Sequence, residues 1–263
     1  MNGSRGTLST QFQIQSSDPA LLEKARRVAE DFVRPYMHEG IAGIVFLGAI
    51  ARGYFDASAD IDIAIFKKQA SGISLPDKFL KIEGLEVQIW LSDYESELTI
   101  PWDMSKRWTY SQGKIHYDPT GSISRLLEEK VPLRPDERRW LLMSGLCLSE
   151  WYINRLTQLW LQRGSMVSAQ HMFFQGLNYF FDLLFALNNQ LVADMKWRYY
   201  CAEKLRRLPG HFQRRIKEIL LLREYTLEEL ERRQAAFMEM WREMLPIVEQ
   251  EVGLSYAEIE ALV

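Results

Sequence analysis

Two aspartates, Asp60 and Asp62, stand two residues apart at the start of a short apolar run, Ile61 to Phe66. Alternate side chains of a strand point to one face, so both carboxylates face the same way. Held side by side, they repel each other unless a cation lies between them. The pair is therefore a ligand set for Mg²⁺ or Mn²⁺, which prefer oxygen donors. Glu86 lies on the polar face of another alternating run, and if that strand is adjacent it completes a three-carboxylate cluster. Gly48 sits at a turn after the apolar run Ile41 to Leu47 and leads into a helix candidate. Free backbone N–H groups at such a turn can hold a phosphate.

The elements that must position these groups can be read from periodicity. A first helix is expected from Ser17 or Asp18, with Pro19 in its first turn. Leu21, Leu22, Ala25, Val28, Ala29, Phe32 and Val33 then recur at spacings of three and four. Strands are expected at Ile41 to Leu47, Ile61 to Phe66 and Leu85 to Leu91, with a short helix within Ala49 to Phe55 and a loop at Ser71 to Asp77. In the third strand Leu85, Val87, Ile89 and Leu91 share one face, and Glu86, Gln88 and Trp90 the other.

Near residue 130 the composition changes. After Pro135 the chain is rich in Leu, Trp, Arg and Glu with helical spacing. Helices are expected near 136–163, 166–189, 194–207, 210–223 and 226–251, with a short one near 255–262. Thr226 and Glu229 fit a capping box at the start of the fifth. The expectation is an α+β protein: a small mixed-sheet domain over 1–132, then an all-helical bundle over 133–263.

The chain has 263 residues, is 47% hydrophobic and 25% charged, and carries a net charge of -3. That composition excludes collagen, a disordered tail and a membrane bundle. The charge argues against long nucleic acid held by bulk charge, though a local patch would suffice for a tRNA end. Cys147 and Cys201 make no disulfide framework, and the opening MNGSRGTLSTQFQIQSS has no apolar run of a secretory signal. A cytoplasmic protein with no membrane partner is expected. The four histidines are scattered and read as structural. Arg206/Arg207 and Arg214/Arg215, interspersed with Glu, read as solvated helix faces.

The string Leu47-Gly48-Ala49, a spacer of ten, then Asp60-Ile61-Asp62-Ile63 resembles the signature of the DNA polymerase β-like nucleotidyltransferase superfamily. Within it, the chain is similar to the small-molecule, antibiotic-type enzymes (aminoglycoside- and lincosamide-like) with a helical C-terminal domain. The segment Gly113 to Leu127, with His116-Tyr117-Asp118-Pro119-Thr120-Gly121, resembles the end of that catalytic domain. Leu184 to Asn188, Lys196-Trp197 and Leu208-Pro209 are similar to the helical half more loosely. One departure is Ala49, where the family usually has Ser: the backbone N–H contact to phosphate survives and the hydroxyl does not.

The resemblance implies a two-metal transfer of a nucleoside monophosphate, AMP from ATP, onto a hydroxyl of a small molecule, with release of pyrophosphate. Asp60 and Asp62 would bridge two Mg²⁺ ions, Glu86 would be the third ligand and general base, and Gly48 and Ala49 would meet the triphosphate. Arg52 and Lys196 are candidates to neutralise it, and the site is expected in the cleft between the domains. Asp182, in the otherwise apolar run Tyr179 to Leu187, needs a partner or reaches that cleft. The aromatic residues Phe173, Phe174, Tyr179, Phe180, Phe181 and Phe185 read as helical core. Two other readings keep part of this chemistry: transfer to a protein side chain or RNA 3′ end, and a catalytically weakened nucleotide sensor, which Ala49 favours. Composition and spacing leave the base preference and oligomeric state open.

Overall fold

The computed structural model describes residues 14–69, 72–73 and 78–263. The chain divides into two compact units, Met1–Pro132 and Leu133–Val263. The fold class is α+β, a mixed sheet with helices in the first unit and helices alone in the second. Among the described residues no helix is long and apolar enough to cross a membrane. Most of the opening segment, residues 1–13, and most of the expected loop, residues 71 and 74–77, lie outside the described residues.

In the first unit, helix α1 (Pro19–Val33) starts where Asp18 accepts hydrogen bonds from the N–H groups of Ala20 (2.8 Å) and Leu21 (3.2 Å). This caps donors that have no partner inside the helix. Strand β1 (Ile41–Phe46) is buried along its whole length. Helix α2 (Gly48–Arg52) follows at once, then β2 (Ile61–Lys67), β3 (Phe79–Ile82) and β4 (Leu85–Asp93). Helices α3 (Tyr94–Thr99) and α4 (Met104–Ser111), strand β5 (Lys114–Tyr117) and helix α5 (Ser122–Lys130) complete the unit.

The strands are ordered β3-β4-β2-β1-β5, and β2 and β4 run parallel while the other pairs are antiparallel. Alternation divides β2 between two faces. Ile61, Ile63 and Ile65 point one way and are fully buried. Ala64 and Phe66 point the other way, into a core with Val45, Trp102, Tyr110, Ile123 and Leu126. Asp62 precedes Ala64 on that second face, so the packed core holds the strand that carries the carboxylates. The apolar face of β4 is buried at Val87 and Ile89, but Leu91 is exposed.

The four-residue strands β3 and β5 do not stand out in the sequence, because so short a run shows little periodicity. After β5 the Asp118 carboxylate accepts from the N–H groups of Ile123 (3.1 Å) and Ser124 (2.9 Å), which ties the turn to the start of α5. His116 stacks on Phe46 with ring centroids 4.4 Å apart, a packing role.

The second unit opens with α6 (Pro135–Glu150), which continues through a π-helical stretch, Trp151–Leu156, into α7 (Thr157–Gln162). The Thr157 hydroxyl donates to the Tyr152 carbonyl at 2.9 Å within this wide turn. Helix α8 (Met166–Leu187) lies so close to this rod that no side chain fits at two contacts. A β-carbon on Gly145 would stand 2.7 Å from Leu183 Cβ, and one on Gly176 3.0 Å from both Ile153 N and Ser149 O. Helices α9 (Met195–Ala202), α10 (Phe212–Leu220), α11 (Leu227–Val252) and α12 (Tyr256–Glu260) complete the unit.

Helix α9 ends at Ala202, well short of the expected 207. The capping box expected at Thr226 forms by half. Thr226 Oγ1 accepts from the Glu229 N–H at 3.3 Å, but the Glu229 carboxylate turns to Arg232 and to the Arg223 N–H. Those hydrogen bonds lower the Glu229 pKa to about 2. Phe173, Phe180, Phe181 and Phe185 are core as expected, while Phe174 is 44% exposed. Cys147 and Cys201 are free and buried. The paired arginines meet carboxylates: Arg207 reaches Glu251, Arg214 reaches Glu218 and Arg215 reaches Glu243.

Candidate active site

Asp60 immediately precedes β2, and Asp62 is its second residue. The parallel register pairs Ile61 with Val87 and Asp62 with Gln88. Paired residues of neighbouring strands share a face, so Asp62 and Gln88 point the same way. Carrying the register back one residue sets Asp60 beside Glu86. On its other side, Glu86 pairs with Lys81 of β3. Asp60, Asp62, Glu86 and Gln88 therefore share one sheet face.

Asp60 and Asp62 are half-buried and Glu86 is exposed. Among the described residues, the side chains of Asp60 and Glu86 make no hydrogen bond or ion pair. Nor do any three His, Cys, Asp or Glu side chains come close enough together to hold a metal ion among them. The oxygen-donor pair at the start of β2, Asp60 and Asp62, still fits a hard divalent cation, because Mg²⁺ is commonly held by one or two carboxylates together with substrate phosphates.

The turn before α2 brings its backbone onto this pair. Leu47, the residue before the helix, donates its N–H to the Asp62 carbonyl at 2.9 Å. Gly48 has φ +55, a left-handed conformation that glycine adopts without strain. A β-carbon there would penetrate Asp62 Oδ2 and lie 3.0 Å from its carboxylate carbon. Gly48 is thus required twice, by its backbone angle and by the approach of Asp62. Ala49 and Ile50 follow in the first turn of α2, where N–H groups have no acceptor inside the helix.

Arg52 closes α2, and its environment is not that of a surface arginine. It is only 9% exposed, and its guanidinium lies 4.6 Å from the centre of the Trp108 ring. It also bonds to Tyr54, and its charge partly offsets the rise that burial causes in the Tyr54 pKa; Asp56 and Asp60 push that pKa upward. Sequence reasoning missed Tyr54 and Trp108, since only the fold brings Trp108 of α4 to the end of α2. It also missed the exposed Phe79; Trp90, which alternation places on the face of Glu86, is exposed too, with the Lys78 ammonium 4.1 Å from its ring centre.

Lys196 belongs to the second unit. It is an exposed residue in the first turn of α9, with its N–H bonded to Asp194 at 3.2 Å. In the same unit Asp182 faces Arg198 at 3.4 Å. Burial pushes the Asp182 pKa up to about 6 despite the opposing charge of Arg198.

No protein-family model and no curated protein matches the chain. Among solved structures, the chain is similar to a nucleotidyltransferase-like protein from Exiguobacterium sibiricum 255-15. The two are 14% identical, with a TM-score of 0.47 over 87% of this chain and 77% of that one.

Proposed function

We propose that this protein transfers a nucleoside monophosphate, AMP from ATP, onto a hydroxyl of a small molecule and releases pyrophosphate. The observation that carries this reading is the seating of Gly48 against Asp62, with Asp60 and Glu86 on the same sheet face. The Asp60/Asp62 pair would hold a divalent cation, Mg²⁺ or Mn²⁺, which when bound neutralises triphosphate charge and makes the acceptor hydroxyl more acidic.

The chain's own groups have distinct tasks. The N–H groups of Gly48 and Ala49 meet phosphate oxygens where the turn keeps the backbone bare. Arg52 adds positive charge at the other end of α2, and Lys196 is the candidate cation from the helical unit. Glu86 accepts the proton of the attacking hydroxyl. The hydroxyl oxygen bonds to the α-phosphorus, the bond from that phosphorus to the bridging oxygen breaks, and pyrophosphate leaves. Ala49 contributes no hydroxyl, so phosphate contact at this position rests on the backbone alone.

The decisive measurement is pyrophosphate release from each of four nucleotides against a panel of antibiotics and metabolites. Turnover by the wild type and none by the Asp60→Ala/Asp62→Ala protein is the expected result; equal release by both would refute the mechanism. Ala49 favours a second reading, a nucleotide-binding protein with weakened turnover. Its signature is ATP binding with Mg²⁺ but no product from any acceptor. Label from ATP passing into protein or RNA in cell extract would instead assign a macromolecular acceptor.

A further inference from the structure

Arg233, on α11, is the largest fully buried side chain among the described residues, with 0% exposure. Its guanidinium lies 4.5 Å from the centre of the Phe173 ring and 5.3 Å from that of Phe174. Nε donates to the Ile219 carbonyl at 2.6 Å, and Nη1 to Gln170 Oε1 at 2.7 Å. Nη2 is buried with no acceptor. Among the described residues no carboxylate lies within ion-pair distance of Arg233; the nearby Glu229 is bound to Arg232 at 2.8 Å. Burial lowers the Arg233 pKa; the charge of Glu229 opposes that and the charge of Arg232 adds to it.

Gln170 sharpens the imbalance. A guanidinium only donates, so the Gln170 amide must turn its oxygen toward Arg233 and its nitrogen away. That nitrogen, Nε2, is likewise buried with no acceptor, and the whole residue is 8% exposed. Two adjacent side chains thus present buried donors, one is positively charged, and among the described residues neither an ion-paired carboxylate nor a second acceptor answers them. A buried charge without a partner is strongly disfavoured, and a buried donor left unbonded needs an explanation. The Phe174 ring beside the guanidinium is 44% exposed, so the surface is one ring away from Arg233.

We propose that Arg233 and Gln170 form a binding site for a small oxyanion, a phosphate or carboxylate group bridging Arg233 Nη2 and Gln170 Nε2. The site belongs to the helical unit alone and is independent of the reaction proposed above. Its occupant supplies both the missing counter-charge and the missing acceptors.

The test is thermal unfolding of the full chain in increasing inorganic phosphate, against chloride at matched ionic strength. A ligand of the folded state raises the melting temperature in proportion to its occupancy, so the wild type shows a saturable rise in phosphate. Acetate in place of phosphate asks whether a carboxylate suffices, and a saturable rise with either anion supports the site. Gln170→Glu places a carboxylate beside Arg233. It should melt above the wild type without phosphate and lose the phosphate response. Arg233→Met should weaken phosphate binding at least about tenfold, the order expected for lost charged hydrogen bonds. The proposal is overturned if the wild type shows no saturable rise with either anion, which would leave only a buried water. It is equally overturned if both variants respond as the wild type does, or if Gln170→Glu lowers the melting temperature. None of these readouts uses a nucleotide.

Discussion

Gly48 and Asp62 are packed so closely that a β-carbon on the glycine would overlap Asp62 Oδ2. Residues of two elements, α2 and β2, thereby define one surface, backbone N–H groups beside carboxylate oxygens. Gly48→Ala must either push the carboxylate aside or distort the turn. It should cost about 1–3 kcal/mol of stability, through strain at positive φ and overpacking. It should also cut pyrophosphate release at least about 100-fold, because small misplacements at a reacting centre are expensive. Gly53→Ala is the control. Gly53 also has positive φ, +84, but the nearest heavy atom to an added β-carbon is 3.9 Å away. Strain of about 1 kcal/mol with unchanged turnover is expected there. Parallel melting curves and pyrophosphate assays compare the two.

Glu86 is exposed and unpaired among the described residues, so its removal has little to disturb. Glu86→Gln should leave the folding stability within about 0.5 kcal/mol of wild type, the usual range for surface changes. Loss of a general base should lower turnover by roughly 10²–10⁴-fold. Full turnover in this variant would remove Glu86 from the mechanism and turn attention to its neighbours on the sheet face.

Asp182 gives the helical unit a pH signature. Its pKa of about 6 lies above the ordinary 3.8, so between these values the folded chain binds a proton more tightly than the unfolded chain. The stability this contributes is fully present below about pH 4 and is lost as pH rises through about 6. Asp182→Asn removes the titration. The difference between about 6 and 3.8 sets an upper bound of about 3 kcal/mol. With part of the side chain open to solvent, a gain of about 1–2 kcal/mol at pH 7.5 is the expected value. Denaturant unfolding at pH 4 and pH 7.5 checks it: the variant's advantage should vanish at the lower pH.

Helix propensity and packing make opposite predictions for Gly176. An exposed helical Gly→Ala change gains about 1 kcal/mol. At Gly176 the added carbon would lie 3.0 Å from the backbone nitrogen of Ile153 in the π-helical turn. Overpacking of about 1–3 kcal/mol should reverse the sign. A Gly176→Ala protein that melts higher than wild type would show that α8 and the π-helical turn can separate without cost.

The long helices of the second half were legible in the sequence, while α9 and α10 end short of the expected 207 and 223. In the long ones apolar spacing near 3.6 accumulates over many turns, as in the expected 166–189 against Met166–Leu187. Where local signals compete, sequence reasoning fell short. Glu229 fits a capping box by position, yet an arginine one turn on is a stronger partner for its carboxylate than a backbone N–H. The strands β3 and β5 are too short for periodicity to reveal them, and the π-helical turn has no spacing signature of its own.

For the candidate site, the sequence alone determined which residues share a face along each strand, because alternation is a local property of extended backbone. Asp60 with Asp62, and Glu86 with Gln88 and Trp90, follow from that rule. Only the tertiary structure decided that β2 and β4 are parallel neighbours, with Asp62 opposite Gln88. It also decided that Gly48 rests on Asp62, that Trp108 roofs Arg52, and that Arg233 is buried beside Gln170 with no ion pair among the described residues. Strand pairing and side-chain burial depend on contacts between residues distant in the chain, and local spacing carries no record of them.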